Sequence, residues 1–80
     1  MKKYKLELAF NGETFKKSVM SKDNLKKAFM AMKPDFVHTE GYVSITQGGL
    51  VFQRKLPLIK LRKLFANPDE LDMFIDPLIF

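Results

Sequence analysis

The sequence contains no cysteine and only one histidine. Without cysteine there is neither a disulfide framework nor a thiolate metal site, which fits a reducing compartment. A single histidine, His38, excludes a metal site built from several imidazoles and a catalytic pair of histidines. Because His38 stands in a polar stretch beside Thr39 and Glu40, we interpret it as a surface side chain.

Long apolar runs are also missing. No stretch approaches the roughly 18 apolar residues of a membrane-spanning helix. The chain starts with Met1-Lys2-Lys3, as a signal peptide does, but Lys5 and Glu7 interrupt the apolar segment that should follow. We therefore expect a soluble cytoplasmic protein.

Signals of catalysis are scarce. The acids Asp69, Glu70, Asp72 and Asp76 lack the spacing and central glycine of an EF-hand, and acids at a helix start explain two of them. Gly48-Gly49 is not followed by the lysine and serine or threonine of a phosphate-binding loop. With no nucleophile placed beside a base, we expect no enzyme, no cofactor, no metal and no small-molecule substrate.

Length and composition predict one globular domain covering residues 1–80. Hydrophobic residues make up 46% of the chain and charged residues 29%, the balance of a folded soluble protein. A unit smaller than these 80 residues would bury too little surface to be stable alone.

An internal repeat organises the chain. The segment Val43–Arg54 matches Leu6–Lys17 in its apolar alternation, its turn glycine, the phenylalanine after the turn and the cation that follows. One residue is then missing from the second copy, and Leu61–Ala66 matches Leu25–Met30. We interpret this as a strand–turn–strand–helix unit used twice, over about residues 3–33 and 42–66.

The first hairpin is indicated by alternation from Tyr4 to Phe10 followed by Asn11-Gly12, the strongest signal for a two-residue type I′ turn. Such a turn sets each apolar residue of the first strand against a partner on the second. The expected cross-strand pairs are Leu8 with Phe15, Leu6 with Lys17, Tyr4 with Val19 and, on the outer face, Glu7 with Lys16.

The second hairpin turns at Gly48-Gly49 and sets Ile45 against Phe52 and Val43 against Arg54. Arg54 thus repeats the inward-facing cation Lys17. We weigh two interpretations of this pair. Either the stems run along the edge of the core and carry the charges to water, or the two cations form a matched anion site.

Three helices are predicted. Ser21 caps the first, from Lys22 to Lys33, which Pro34 ends. Pro57 opens the second helix. Asn67-Pro68 starts a short third helix that runs to about Ile75, and this helix and the tail after it cover residues 68–80.

The fold class is therefore α+β: a ββαββα duplication with a four-stranded, largely antiparallel sheet, two helices on one face and a short C-terminal helix. The order of the strands does not follow from the sequence. The expected core includes Leu6, Leu8, Phe15, Val19, Leu25, Phe29, Val43, Ile45, Phe52, Leu56, Leu61, Leu64 and Phe65.

Charge is divided unevenly along the chain. Residues 1–63 hold every lysine and arginine and carry a net +9, whereas residues 68–80 carry −4. The basic part of the chain could attract nucleic acid or an acidic partner. Alternatively, the charges serve solubility, and the acidic C-terminal residues pair with cations of the same chain.

Nucleic-acid binding is one hypothesis for function. All aromatic residues of the sheet except Tyr42 are expected to point inward. This arrangement argues against base stacking on the sheet. It does not argue against contacts to the backbone of a duplex. The candidate contacts for nucleic acid or another anion are Lys16, Lys17, Lys22, Lys26, Lys27, Arg54, Lys55, Lys60, Arg62 and Lys63.

The preferred hypothesis is an adaptor that binds a protein partner or a second copy of itself, as in a homodimer. It rests on a C-terminal set of apolar residues that exceeds what one small core requires, so that an exposed remainder would mark an interface. The alternative is that the third helix and the tail close the core. The candidate residues are Leu71, Phe74, Ile75, Leu78, Ile79 and Phe80.

Overall fold

Seven regular elements follow one another in residues 3–78, the part of the chain described by the computed structural model. They are the strands β1 (Tyr4–Phe10), β2 (Glu13–Val19), β3 (Gly41–Gln47) and β4 (Leu50–Leu56), and the helices α1 (Lys22–Ala31), α2 (Leu58–Ala66) and α3 (Pro68–Ile75). The predicted α+β class with a four-stranded antiparallel sheet is confirmed. Within residues 3–78, no helix has the length and apolar character needed to cross a membrane.

The sheet has the order β2-β1-β3-β4, and every neighbouring pair is antiparallel. Both hairpin registers are as predicted, with Leu8 opposite Phe15 and Ile45 opposite Phe52. The hairpins meet through β1 and β3, where Leu8 lies opposite Val43. These two strands take the centre because their inward side chains are almost all apolar, while β2 and β4 carry inward-facing cations that suit sheet edges.

The first turn follows the rule for its type. Asn11 has φ of 55° and Gly12 has φ of 78°, the left-handed backbone that a two-residue type I′ turn needs at both central positions. Asparagine tolerates this region better than most residues, and glycine adopts it without a steric penalty.

Helix α1 begins as predicted and ends early. Ser21 Oγ accepts a hydrogen bond from the Asn24 amide at 3.1 Å, which confirms the cap. The helix stops at Ala31 rather than Lys33, because the amides of Met32 and Lys33 bond to carbonyls three residues back and tighten the last turn before Pro34.

The later helices differ little from expectation. Pro57 stands just before α2 as its N-cap rather than inside its first turn. Asn67 caps α3 through its side-chain oxygen, which accepts from the Asp69 amide at 3.0 Å. Pro68 opens α3, which ends at Ile75 as predicted.

The core lies between the helices and the inner face of the sheet. Phe29 and Phe65 contact each other there, with ring centroids 5.0 Å apart. Among the thirteen expected core residues, Phe15, Val19 and Phe52 are only half-buried because they belong to the edge strands. Gly41 is buried where α2 meets β3, and a Cβ at this position would lie 2.7 Å from Leu61 Cδ2.

Candidate functional site

Within residues 3–78, no helix covers the face of the sheet opposite the core. Its side chains form three rows that cross all four strands. The rows read Ser18-Lys5-Thr46-Val51, then Lys16-Glu7-Ser44-Gln53, then Thr14-Ala9-Tyr42-Lys55. Cations and hydroxyls therefore dominate this surface, which we call the open sheet face.

The first two rows enclose a hollow of about 340 Å³. Its walls are Lys5, Leu6, Glu7, Lys16, Lys17, Ser18, Ser44 and Thr46. A second hollow of about 220 Å³ shares Lys5 and Thr46 with the first and adds Lys3. Lys5 thus stands between two neighbouring hollows, and hydroxyls flank it on both sides.

Two acids limit the positive charge of this face. Glu7 lies directly opposite Lys16, as predicted, yet no ion pair within 4.0 Å joins them in the described chain. Lys55 Nζ lies 3.1 Å from Glu40 Oε1, and both side chains are well exposed. A surface pair of this kind contributes little to stability and leaves Lys55 accessible.

The helix cations are largely engaged within the chain. Lys26 Nζ lies 2.6 Å from Asp76 Oδ1 and 3.1 Å from Asp72 Oδ1. Lys22 donates to the carbonyls of Leu78 and Asp76, and Lys60 lies 3.7 Å from Glu70. The acidic end of the sequence therefore packs against basic helices, whereas Lys27 and Lys63 are exposed.

These contacts affect the charge of Lys26. Its pKa is raised, first by the hydrogen bond to Asp76 and then by the one to Asp72. The ammonium form is therefore favoured at this position, which keeps the link between α1 and α3 intact at neutral pH.

Two members of the predicted C-terminal interface lie in the core. Leu71 is 2% exposed and Ile75 is fully buried, so both belong to the chain's own core and are not accessible to a partner. Phe74 and Leu78 are half-buried, and the Phe74 ring meets Phe52 edge-on at 5.6 Å. Helix α3 thus covers the core, because its apolar residues recur on the side that faces β4 and α1. Ile79 and Phe80 lie outside the described residues.

Lys17 and Arg54 are both exposed and lie on opposite edge strands. Three strand spacings separate those strands, a distance of roughly 14 Å, and the inward-facing residues of β1 and β3 lie between the two cations. The Arg54 guanidinium lies 4.8 Å from the centre of the Phe52 ring, with its stem along the edge of the core. This is the arrangement expected of a cation that reaches water from an inward position.

One exposed aromatic was not recognised in the sequence. Phe36 is 63% exposed in the connection between α1 and β3. The Arg62 guanidinium lies 5.1 Å from the centre of its ring. Phenylalanine in a polar segment between Pro34 and Gly41 was the available signal, and it does not distinguish an exposed ring from a buried one.

The chain was compared with protein-family models, with curated proteins and with solved structures, and none of the three comparisons found a match.

Proposed function

We propose that this is a non-catalytic, cytoplasmic binding protein whose working surface is the open sheet face and whose ligand is the phosphate backbone of nucleic acid. The observation that carries the proposal is the composition of that face: Lys5 and Lys16 stand among Ser18, Ser44 and Thr46 around one shallow hollow. Lysines and hydroxyls are the groups that contact phosphate oxygens without reading bases.

The distribution of charge supports this surface over the helical one. The two hairpins, residues 3–19 and 41–56, carry a net +4, and Lys5, Lys16 and Lys55 stand on the open sheet face together with Glu7. On the helical side, Asp72, Asp76 and Glu70 lie against lysines of α1 and α2. The field of the sheet is thus left positive, and such a field steers polyanions toward it.

The same face favours a duplex over a single strand. Proteins that bind single strands stack bases on exposed aromatic rings. On the sheet, Tyr4 and Phe10 are buried, and Tyr42, at 39% exposure, is the outward-facing ring. We therefore expect contacts to the backbone that depend little on base sequence.

A second candidate is a protein partner or a second copy of the chain. The observation in its favour is strand β4, which pairs on one side only and exposes Leu50 and Val51. An open edge strand offers backbone groups for the addition of another strand. Lys55 and Arg54 on the same strand oppose pairing with a like-charged copy, so we rank this candidate second.

We also propose that the two halves arose as a duplicated ββα unit. Strand bounds in the second half lie 37 residues after those in the first, and the start of α2 lies 36 residues after that of α1. Several matched inner positions carry similar residues, as in Phe15 with Phe52 and Phe29 with Phe65, whereas the outer positions Lys5 and Tyr42 differ. The similar inner residues support the interpretation that both halves pack against the core in the same way. The different outer residues support a role of the open sheet face that the two halves do not share equally.

An NMR titration with a short DNA duplex tests the proposed function. We expect amide shifts at Lys5, Lys16 and Thr46 that weaken as salt rises from about 50 to 200 mM. Glu7→Gln removes the acid between the lysines and should strengthen binding, while Lys16→Gln should weaken it. Shifts confined to β4, or no shifts at low salt, would contradict the proposal.

A further inference from the structure

The segment 34–40 holds Phe36 in a fixed position at the surface. On one side, Asn11 Nδ2 donates to the Phe36 carbonyl at 2.9 Å, and Asn11 Oδ1 accepts from the His38 amide at 3.0 Å. On the other side, Arg62 Nε donates to the Val37 carbonyl at 3.0 Å, and the Val37 side chain is buried. The backbone around Phe36 is therefore anchored to the first hairpin turn and to α2.

A single exposed apolar residue is common on protein surfaces and would not itself indicate a site. Phe36, however, belongs to a stack. The His38 ring lies 6.2 Å from it at an interplanar angle of 19°, and the Arg62 guanidinium lies 5.1 Å from its centre. With both neighbours in place, 63% of Phe36 is still exposed, so the residue remains accessible to a ligand.

A cavity of about 320 Å³ opens beside the stack. It is lined by Lys33, Pro34, Asp35, Phe36, Val37, Arg62, Phe65 and Ala66. Its walls are mainly apolar, with two cations and one acid at the rim. A ligand that fits must therefore combine a flat apolar part with a negative charge.

Arg62 is oriented to hold that charge. Its Nε donates to the Val37 carbonyl, and its Cζ lies over the Phe36 ring. Among the described residues, none accepts a hydrogen bond from its two terminal nitrogens. A guanidinium fixed in this way presents a planar fork that matches a phosphate, and little side-chain entropy is lost on binding. Lys33 adds a second positive charge to the same cavity.

Asp35 sets a further requirement on the ligand. Its carboxylate repels a ligand that is only a polyanion, but it accepts hydrogen bonds from the N–H groups of a heterocyclic base. A planar base with N–H donors, joined to a phosphate, satisfies every group that lines the cavity.

We propose that this cavity binds one unpaired nucleotide, with the base against Phe36 and the phosphate on Arg62 and Lys33. The nucleotide comes either from a single-stranded nucleic acid or from a free nucleoside monophosphate. The site is separate from the open sheet face, and it does not depend on duplex binding there.

Fluorescence anisotropy with a labelled single-stranded oligonucleotide provides the main test. Phe36→Ala should reduce its affinity by roughly 5- to 150-fold, the range for loss of one base–aromatic stack. Arg62→Lys keeps the charge but loses the planar fork, and should also weaken binding. The matched control is Ile59→Ala, which truncates an exposed apolar residue of α2, the helix that carries Arg62. This variant should bind like wild type. Equal affinity of Phe36→Ala and wild type would rule out a single-stranded nucleic acid as the source of the nucleotide.

NMR titrations separate the two sources of the nucleotide. Shifts at Phe36 and His38 with a nucleoside monophosphate, and none with inorganic phosphate, would assign a free nucleotide. Shifts with the single strand alone would assign nucleic acid. Shifts with inorganic phosphate that equal those with the nucleotide would contradict a role for the base, and silence with all three ligands would remove the site. Phe36→Ala should leave duplex binding unchanged. A negative result for the nucleotide cavity can therefore be told apart from a negative result for phosphate binding by the open sheet face.

Discussion

Lys26 of α1 places its Nζ 2.6 Å from Asp76 Oδ1, and it also reaches Asp72, 3.1 Å away. These two acids stand four residues apart at the end of α3, so they lie on the same side of that helix. One lysine therefore links α1 to α3. The acidic end of the sequence serves here as a counter-charge to a basic helix.

The first prediction concerns this link. Lys26→Met should lower the melting temperature, because Asp72 and Asp76 would keep their charges without a partner. The raised pKa of Lys26 means that its stabilising contribution is complete below the ordinary lysine value of 10.5 and is lost as pH rises through the higher folded-state value. Thermal denaturation should thus show a constant difference between variant and wild type near neutral pH, and a smaller one above pH 10.5. A difference that does not change with pH would contradict a role for the ammonium charge.

Local signals account for the parts of the fold that were predicted. Asn11-Gly12 fixes the register of the first hairpin, and Ser21 and Asn67 mark the helix starts, because each acts on residues close in sequence. The pairing of β1 with β3 joins residues about 40 positions apart and has no local signal. The strand order depends on which strands can be covered by neighbours on both sides. Strands β2 and β4 are less suited to the centre because they carry the inward-facing cations Lys17 and Arg54.

The candidate sites were less predictable for a related reason. The helical spacing of Leu71 and Ile75 predicts an apolar face, but not whether the chain itself or a partner covers it. Likewise, the sequence shows Phe36 in a polar connection without showing Arg62, which lies 26 residues later and packs on the ring. Such contacts arise from tertiary structure alone.

The second prediction compares a fully buried phenylalanine with a half-buried one. Phe29→Ala should cost about 3–5 kcal/mol, because the ring is fully buried and leaves a cavity. Phe52→Ala should cost less, about 1–3 kcal/mol, because its ring is half-buried on an edge strand. Urea denaturation of the two variants measures both values. A larger loss at Phe52 than at Phe29 would contradict the position of the core.

The third prediction concerns the close approach of α2 to the sheet. Gly41→Ala should destabilise the protein by about 1–3 kcal/mol, because its Cβ would meet Leu61 Cδ2 at 2.7 Å and the Ala9 carbonyl oxygen at 3.3 Å. Gly49→Ala is the control, since a Cβ there has no neighbour within 4 Å among the described residues. Denaturant midpoints should fall for the first variant and stay close to wild type for the second; equal midpoints would be evidence against this packing.

The fourth prediction concerns the anchoring of Phe36. Asn11→Gly keeps a backbone suited to positive φ but removes the side chain that contacts the Phe36 carbonyl and the His38 amide. Stability should fall by about 1 kcal/mol, and the His38 amide should exchange faster with solvent. Asn11→Ala should be more destabilising, because alanine adds a backbone penalty of about 1 kcal/mol in the left-handed region. Unchanged exchange at His38 in both variants would show that Asn11 does not anchor the segment.

The central claim is that Lys5 and Lys16 on the open sheet face bind the phosphate backbone, and the salt dependence of duplex affinity tests it most directly. Each phosphate contact contributes about 0.9 to the slope of log K against log salt concentration. The double variant Lys5→Gln/Lys16→Gln should therefore reduce the slope by about 2. The control Lys27→Gln/Lys63→Gln removes the same charge from exposed positions on the helices and should leave the slope close to wild type. Equal slopes for both double variants, or a larger loss in the helix variant, would contradict the claim.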